Sequence, residues 1–367
     1  MNILITGAAG FIGKNLSMHL REKKVEPLEF GRTSDIRELE WAIVQADAIC
    51  HLAGVNRPAD VAEFAQVNTG LTATLCRLAE ESGRKLPILL ASSIQAESDN
   101  PYGRSKRDAE DLVLAYGRRT GAAVKILRLP NVFGKWCKPN YNSVVATFCH
   151  HIARDLPITV NDPAHPLQLV YIDDVVDGIV GMLDEGLSGE AHGAIEPVYG
   201  ITLGELAATI QSFRASRESQ VTERVGGGLV RALYSTYVSY LPSQAFSYPV
   251  PMHADPRGVF VEMLKTRDSG QFSFFTAPPG VTRGGHYHHS KTEKFLVIQG
   301  KAKFRFRQLD TGEYHELCTS GEKAEIVETI PGWTHDITNI GEGDMIVMLW
   351  ANEIFDRGRP DTFSMPL

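Results

Sequence analysis

A tyrosine, a lysine and a serine in the first third of the chain have the types and spacing of a proton-transfer site. Tyr102 and Lys106 are four residues apart, which places both on one face of a helix. We expect the Lys106 ammonium to lower the phenol pKa of Tyr102, so that this hydroxyl exchanges a proton with a carbonyl oxygen while hydride moves. The pair Ser92-Ser93 follows the apolar run Ile88–Ala91, and we take Ser93, ahead of Ser92, as the hydroxyl that polarises the same oxygen. These residues predict the catalytic group of a ketone reductase.

A glycine-rich turn at the amino end predicts a nucleotide site. The apolar run Asn2–Thr6 is predicted to be a strand and leads into TGAAGFIG at residues 6–13. In such a segment the first glycine permits the tight turn, the second lets the backbone approach a pyrophosphate, and the third allows close packing of helix on sheet. The amino end of the helix then faces the negative charge. We expect a dinucleotide to bind this segment through Gly7, Gly10, Phe11, Ile12 and Gly13.

The residues after the second predicted strand favour NADP(H) over NAD(H). A free ribose 2′-hydroxyl is usually held by an acidic residue about 20 positions after the glycine turn. This chain has EFGRTS at residues 29–34, and Arg32 offers a planar fork that pairs with a 2′-phosphate. We therefore expect NADP(H), with Arg32 at the phosphate and Asp35 near the adenine.

Histidines and a glutamate in the last quarter of the chain predict a metal site. Residues 280–300 have the pattern G-x5-H-x-H-x4-E-x6-G, with His286, His288 and Glu293 as its polar members. Two histidines at i and i+2 on a strand point to the same side. Glu293 joins them from the next turn or strand, and His335 supplies a fourth ligand from a neighbouring strand. Three imidazoles and a carboxylate suit Zn, Fe, Mn, Ni or Cu, and we take Zn as the first choice.

The elements that position these groups follow two different sequence patterns, one in each half of the chain. Up to about residue 240, apolar runs alternate with amphipathic stretches, with helices predicted at 14–23, 71–82 and 226–240 and further strands at 48–53, 88–92 and 123–129. This alternation is typical of a doubly wound parallel sheet of Rossmann type. After Pro242, short alternating runs between turn residues predict an all-β sandwich or barrel. We expect an α/β domain over residues 1–243 and an all-β domain over residues 244–367.

Composition excludes several classes of partner. The 367 residues carry a formal net charge of -7, which gives no electrostatic reason to expect nucleic acid, so an anionic substrate needs a local basic site. Five scattered cysteines without a CxxC pair fit a reducing compartment. The apolar run after Met1 is too short for a signal peptide or a membrane span. We expect a cytoplasmic protein that has no membrane partner.

The ordered motifs of the first domain resemble the short-chain dehydrogenase/reductase family, in its extended sugar-nucleotide branch. TGxxGxxG, a serine pair after a strand and YxxxK occur in that order, and RLPNVFG at residues 128–134 and YIDDV at 171–175 resemble later segments of the family. The resemblance covers about residues 1–240. It implies that Asn131 contacts the nucleotide-sugar. The residues that it places around the cofactor are Leu52, Ala53, Gly54 and Asn68.

The second domain resembles two kinds of cupin. The 280–300 pattern is similar to the first cupin motif, which implies a metal held by a jelly-roll barrel. DPRGVF at residues 255–260 and VTRGGHY at 281–287 resemble the deoxysugar 3,5-epimerase cupins, which implies substrate contacts for Arg257 and Arg283. In those epimerases the corresponding histidine is a catalytic base, and no metal is needed. His286 cannot be both a free base and a metal ligand. We prefer the role of metal ligand. The candidates for proton transfer are then a metal-bound water, Tyr287, His289 and Lys291.

The order and size of the two domains resemble bifunctional enzymes of the CapF type, which serve bacterial capsule and O-antigen precursor synthesis. The resemblance implies C3 epimerisation of a UDP-2-acetamido-2,6-dideoxy-4-hexulose by the cupin and NADPH-dependent reduction at C4 by the first domain. The product is then UDP-2-acetamido-2,6-dideoxy-L-talose, on the route to UDP-N-acetyl-L-fucosamine, and the enzyme a homodimer. Two other hypotheses stay open: a reductase whose cupin is a structural or dimerisation module, and a sugar-nucleotide sensor without turnover.

Overall fold

The chain folds into two compact units. A computed structural model describes residues 1–58, 60–358 and 360–367. The first unit comprises residues 1–210 and 231–241, and the second comprises residues 211–230 and 242–367. The second unit thus includes a short segment from before residue 231 as well as the region that begins at Pro242.

A parallel β-sheet forms the centre of the first unit. Its strands, with those of a smaller sheet, are β1 (Ile3–Thr6), β2 (Leu28–Phe30), β3 (Ala48–His51), β4 (Ile88–Ser93), β5 (Val124–Leu129), β6 (Asn131–Phe133), β7 (Pro166–Tyr171), β8 (His192–Gly193) and β9 (Tyr199–Thr202). The large sheet has the order β2-β1-β3-β4-β5-β8, and every neighbouring pair in it is parallel. The small sheet has the order β6-β7-β9. The carboxyl ends of the parallel strands therefore meet along one edge, where ligands bind in such folds.

Helices cover both faces of the large sheet. The α-helices of the described chain are α1 (Phe11–Glu22), α2 (Ile36–Gln45), α3 (Leu71–Glu81), α4 (Pro101–Thr120), α5 (Val144–Ile152), α6 (Ile172–Asp184), α7 (Leu203–Ser219) and α8 (Gly228–Ser239). Successive residues of β1 face opposite ways. Ile3 and Ile5 pack with α1 and α6, whereas Leu4 packs with α2, α3 and α4. This two-sided burial confirms the doubly wound fold that the alternating pattern predicts.

Several predicted elements have shifted ends. The first helix begins at Phe11 and not at residue 14, because the glycine turn leads directly into it and the Lys14 N–H already bonds the Gly10 carbonyl at 2.9 Å. The third strand ends at His51 and not at Ala53, because the next residues leave the sheet and the Ala53 N–H bonds the Thr6 hydroxyl at 3.3 Å.

The second unit is antiparallel throughout its two main sheets. Its strands are β10 (Met252–Asp255), β11 (Gly258–Thr266), β12 (Gly270–Ala277), β13 (Thr282–Tyr287), β14 (Glu293–Gln299), β15 (Lys301–Gln308), β16 (Tyr314–Ser320), β17 (Ile326–Glu328), β18 (Trp333–Asn339), β19 (Met345–Ala351) and β20 (Phe363–Ser364). The sheets have the orders β10-β11-β12-β19-β14-β17 and β16-β15-β18-β13-β20. Phe275 and Val347 of the first sheet share one core with Phe304 and Ile337 of the second. The predicted all-β half is confirmed.

The cysteines and the hydropathy of the helices can be compared with the expectations from composition. All five cysteines are free thiols, as the absence of a spacing pattern predicts. None of the helices in the described ranges is long and apolar enough to cross a membrane.

Candidate functional site

The turn between β1 and α1 depends on two glycines. Gly7 has a φ of +72°, and a Cβ there would lie 2.7 Å from the Ala53 nitrogen. A Cβ on Gly13 would lie 2.3 Å from the Gly7 carbonyl oxygen, so only glycine lets the helix sit this close to the turn. The amino end of α1 therefore opens directly beside the strand ends, as an anion site requires.

A cavity of about 530 Å³ lies at this edge of the first unit. Most of the predicted cofactor residues line it, and these are Gly7, Gly10, Phe11, Ile12, Gly13, Arg32, Leu52 and Gly54. The predicted catalytic residues Ser93, Tyr102 and Lys106 and the predicted substrate residue Asn131 line it too. One cavity therefore brings together the predicted nucleotide and proton-transfer groups.

Three predicted cofactor residues lie elsewhere in the described part of the unit. Asp35 caps α2, with its carboxylate accepting the N–H groups of Arg37 at 2.8 Å and Glu38 at 3.0 Å. The Ala53 backbone packs against Gly7. Asn68 is buried and bonds both backbone groups of Val55. The Asp35 carboxylate thus caps α2, while Ala53 and Asn68 contact Gly7 and Val55 of the cavity wall, and the adenine contact of Asp35 stays a prediction.

Tyr102 and Lys106 lie on one face of α4, as their spacing predicts. The side chain of Asn100 begins this helix by accepting the Gly103 N–H at 2.8 Å. Lys106 is buried, and its ammonium donates to the Ala91 carbonyl at 3.0 Å. Burial lowers the pKa of Lys106 to about 8, and the nearby Glu110 carboxylate raises it. The ammonium is thus held at the end of β4 and is still the main form at pH 7.

The expected lowering of the Tyr102 pKa is not found. Burial raises the pKa of Tyr102, and a hydrogen bond with Ser93 lowers it only in part. Desolvation outweighs the hydrogen bond with Ser93 because the phenolate is the form that loses hydration. Tyr102 therefore remains a protonated phenol at neutral pH, the form that can donate a proton to a ketone. The contact with Ser93 also favours Ser93 over Ser92 as the third member.

A buried carboxylate behind this group was missed in the sequence. Glu110 is 2% exposed, accepts the Ser92 hydroxyl, and is bound by the Arg128 guanidinium at 3.0 Å through Nε and 2.6 Å through Nη2. Its position four residues after Lys106 on the same helix was the available signal. Lys14, which lines the same cavity as Arg32, was missed as well, although it follows the glycine segment directly.

The four predicted metal ligands come together in the second unit. His286 is on β13 and pairs with His335 on β18, while Glu293 begins β14 and His288 follows β13. One nitrogen or oxygen from each residue lies within 4.8 Å of the others. His288, Glu293 and His335 are buried, and burial lowers the pKa of His286 to about 4. The neutral imidazole of His286, two further imidazoles and a carboxylate thus share one small space.

The hydrogen bonds of this cluster fit a bound cation. A carbonyl can only accept, so the His288 Nδ1 must donate to the Asp361 carbonyl 2.5 Å away. In a neutral ring Nε2 is then an acceptor, yet it faces the Glu293 carboxylate at 3.2 Å. Among the described residues, the buried Nε2 of His335 has no hydrogen-bond partner. Acceptors aimed at one another in this way are satisfied by a metal ion, and the donor set is one that Zn accepts.

The two predicted substrate arginines of this unit differ. Arg257 is exposed and pairs with Asp255 at 2.6 Å. Arg283 lies over the Phe275 ring at 5.0 Å, and its buried Nε and Nη2 have no partner in the described chain. A bulge at Gly284-Gly285 shifts the register of β13 by one residue, so Arg283 and His286 face the same side although they are three residues apart. A guanidinium with two buried, unpartnered nitrogens therefore lies on the same face of β13 as the predicted ligand His286.

Comparisons with known proteins agree with this geometry. Two family models match the chain: the NAD dependent epimerase/dehydratase family at residues 3–196 and the polysaccharide biosynthesis C-terminal domain at residues 253–363. UDP-2-acetamido-2,6-beta-L-arabino-hexul-4-ose reductase from Pseudomonas aeruginosa is 60% identical over 99% of this chain and 98% of that protein.

Two solved structures are similar to this chain over its whole length. The capsular polysaccharide assembling protein CapF from Staphylococcus aureus is 45% identical, with a TM-score of 0.93 and complete coverage of both chains. A CapF structure with the inhibitor 3-isopropenyl-tropolone is 41% identical, with a TM-score of 0.88 and the same coverage.

The fold and the site together define a nucleotide-binding protein of the short-chain dehydrogenase/reductase class that continues into an antiparallel β domain. The chain belongs to the NAD dependent epimerase/dehydratase family. The CapF-type resemblance that its motifs predict is confirmed.

Proposed function

We propose that this protein is a bifunctional enzyme of capsule or O-antigen precursor synthesis. Its all-β half epimerises C3 of a UDP-2-acetamido-2,6-dideoxy-4-hexulose, and its α/β half then reduces the C4 ketone. The product is UDP-2-acetamido-2,6-dideoxy-L-talose, on the route to UDP-N-acetyl-L-fucosamine. The observation that carries the proposal is the presence, in one chain, of Ser93, Tyr102 and Lys106 in a cofactor-sized cavity and of a four-ligand metal cluster.

Reduction uses the first of these sites. Bound NADPH supplies the hydride. The Tyr102 phenol, protonated at neutral pH, donates its proton to the ketone oxygen, and the Ser93 hydroxyl orients that oxygen. The Lys106 cation stabilises the phenolate that Tyr102 becomes. Burial of this group keeps water from competing for the proton.

The basic residues of the cavity favour NADPH as the cofactor. Arg32 and Lys14 both line the cavity beside the glycine turn. A guanidinium binds a 2′-phosphate through two parallel hydrogen bonds, and an ammonium adds a second positive charge. Asp35, the nearest acidic candidate for a ribose hydroxyl, is engaged in capping α2.

Epimerisation uses the cluster in the second unit. His286, His288, Glu293 and His335 would hold a divalent metal, with Zn as the first choice, and the metal would act as a Lewis acid toward the 4-keto group. The keto group acidifies the C3–H bond, so a base can remove that proton and return it to the opposite face. Arg283 contributes an unpaired cation for the anionic part of the substrate, and Arg257 a second one at the surface. Lys291, Tyr287, His289 and a metal-bound water remain the candidates for the base.

The relatives support the same assignment. The Pseudomonas aeruginosa protein is named as a reductase of a UDP-linked 4-hexulose. The tropolone inhibitor of CapF carries adjacent ketone and hydroxyl oxygens, a pair that chelates divalent cations. We further propose that the enzyme is cytoplasmic and a homodimer, with its two activities in residues 1–243 and 244–367.

Deuterium incorporation tests the two activities separately. The substrate is incubated in heavy water without NADPH, and C3 deuterium is measured by mass spectrometry; NADPH oxidation is measured in a second assay. Wild type should do both. His288→Ala should lose exchange, whereas Tyr102→Phe should keep exchange and lose about 10²- to 10⁴-fold in reduction.

Each alternative gives a different result. Reduction without exchange in the wild type would leave a reductase with a structural β domain. Binding of NADPH and substrate without either reaction would leave a sensor. Unchanged NADPH oxidation in Tyr102→Phe would overturn the catalytic assignment.

A further inference from the structure

The loop that joins two of the metal ligands has an unusual support. His288 and Glu293 are connected by residues 289–292, which belong to neither β13 nor β14. The N–H groups of His289, Ser290 and Lys291 all donate to the carboxylate of Asp361, at 2.9, 2.7 and 2.8 Å. The Ser290 hydroxyl donates to it as well, at 2.9 Å. One distant side chain thus fixes nearly the whole backbone of the loop.

The same residue also reaches a metal ligand through its main chain. The Asp361 carbonyl accepts from the His288 Nδ1 at 2.5 Å, which leaves Nε2 as the lone-pair donor on the side of Glu293. Hydrogen bonds of this kind set the tautomer and orientation of a metal-binding imidazole. Asp361 therefore controls both the path of the loop and the direction of one ligand.

The segment around Asp361 is tied down on its far side. Tyr287 and His286 of β13 pair with Phe363 and Ser364 of β20, and the Met365 N–H donates to the Gly285 carbonyl at 2.8 Å. These bonds hold the segment against the strand that carries His286. The carboxylate is consequently fixed relative to three of the four ligands by hydrogen bonds within the chain.

We infer that Asp361 is a positioning residue that slows metal release by holding the His288–Glu293 loop and the His288 ring in the binding geometry. This inference rests on the metal site of the proposed function. If the loop no longer bonded Asp361, the His288 ring could rotate, and His288 and Glu293 could move apart. Loss of such supporting contacts typically costs 10- to 100-fold in metal affinity.

Metal release from the full chain tests the role. Protein loaded with Zn²⁺ is mixed with excess 4-(2-pyridylazo)resorcinol, and the absorbance of the Zn complex gives the release rate. Asp361→Ala should release Zn²⁺ at least about 10-fold faster than wild type. Asp361→Asn keeps one acceptor oxygen, so its release rate should lie between those of wild type and Asp361→Ala. Ser290→Ala loses a single hydrogen bond and should have a smaller effect.

Asp356→Ala is the matched control. Asp356 is exposed in the same region, and its carboxylate accepts the Gly358 N–H at 2.8 Å. Its removal should leave the release rate at the wild-type value. Far-UV circular dichroism and urea denaturation of the full chain report whether each variant is folded. If Asp361→Ala fails to fold, the test uses the Zn²⁺ release rates of the other variants. These rates should increase from wild type to Ser290→Ala to Asp361→Asn, and equal rates would overturn the positioning role.

The outcomes separate this inference from the proposed function. A wild type that holds one Zn²⁺ per chain, with Asp361→Ala releasing it at an unchanged rate, would overturn the positioning role and leave the metal site standing. A wild type that binds no Zn²⁺, Co²⁺ or Mn²⁺ would overturn the metal site, and the inference with it.

Discussion

Replacement of Glu110 by glutamine should alter both the stability of the α/β unit and the pH dependence of reduction. The carboxylate is 2% exposed and accepts charge-assisted bonds from Arg128 and a hydroxyl bond from Ser92. Glutamine keeps the shape but loses the charge. Hydrogen bonds to charged groups contribute about 1.5–3 kcal/mol, and Arg128 retains a second partner, Glu97, at 3.0 Å. We expect a loss of about 1.5–3 kcal/mol in the free energy of unfolding, measured by urea denaturation.

The effect on catalysis acts through Lys106. Burial lowers the pKa of Lys106 to about 8, and Glu110 opposes that shift. Without the carboxylate the pKa of Lys106 falls further, so the cation is lost at a lower pH. The value of kcat/KM for ketone reduction should decline as pH rises through about 8 in wild type, and the decline in Glu110→Gln should begin at lower pH.

Glu97→Gln is the matched control for this experiment. It removes a carboxylate from the same Arg128, but Glu97 is largely exposed and is not among the charges that act on Lys106. It should leave the pH profile of kcat/KM unchanged and lower the free energy of unfolding by less than about 1 kcal/mol. If the profiles of Glu110→Gln and wild type coincide, the proposed electrostatic link between Glu110 and Lys106 is refuted.

Three further perturbations test other parts of the first unit. Arg32→Ala should raise the KM for NADPH by about 10- to 100-fold and leave that for NADH unchanged, because only NADPH carries the 2′-phosphate; equal effects on both would contradict the assignment. Gly13→Ala places a Cβ 2.3 Å from the Gly7 carbonyl and should abolish most NADPH binding in a fluorescence titration, whereas Gly31→Ala, with no atom within 4 Å, should not. Unfolded Lys106 titrates near 10.5 and folded Lys106 near 8, so the unfolded state binds more protons between these values. Lys106 therefore makes stability rise with pH through that window, and Lys106→Met should remove this component in urea denaturation at pH 8 and 10.

Local patterns were sufficient to predict the elements and most of the candidate site. A Cβ on Gly13 would meet the Gly7 carbonyl, which is close in sequence, and the four-residue spacing of Tyr102 and Lys106 fixes a common helix face. The i, i+2 spacing of His286 and His288 likewise predicted that they lie together, although His288 follows the end of β13. Such signals are visible because the periodicity of helices and strands is short.

Other parts of the site depend on contacts without a sequence pattern. Asp361 is about 70 residues from the loop that it binds, and it bonds backbone groups, which leave no trace in side-chain types. The raised pKa of Tyr102 depends on how deeply α4 packs, which spacing does not report. The helix-capping role of Asp35 was not predicted, because the residue types that cap helices also occur at ligand-binding positions.

The bulge at Gly284-Gly285 has a consequence for how variants of this β domain can arise. Because the extra residue lies between Arg283 and His286, a regular strand that kept both glycines would turn the arginine toward the opposite face. Deletion of one glycine would instead leave the two residues at i and i+2, so a regular strand would still present both on one face. The internal cation and the ligand histidine are therefore expected to be inherited together through such a deletion, whereas a change that removes the bulge and keeps both glycines would separate them.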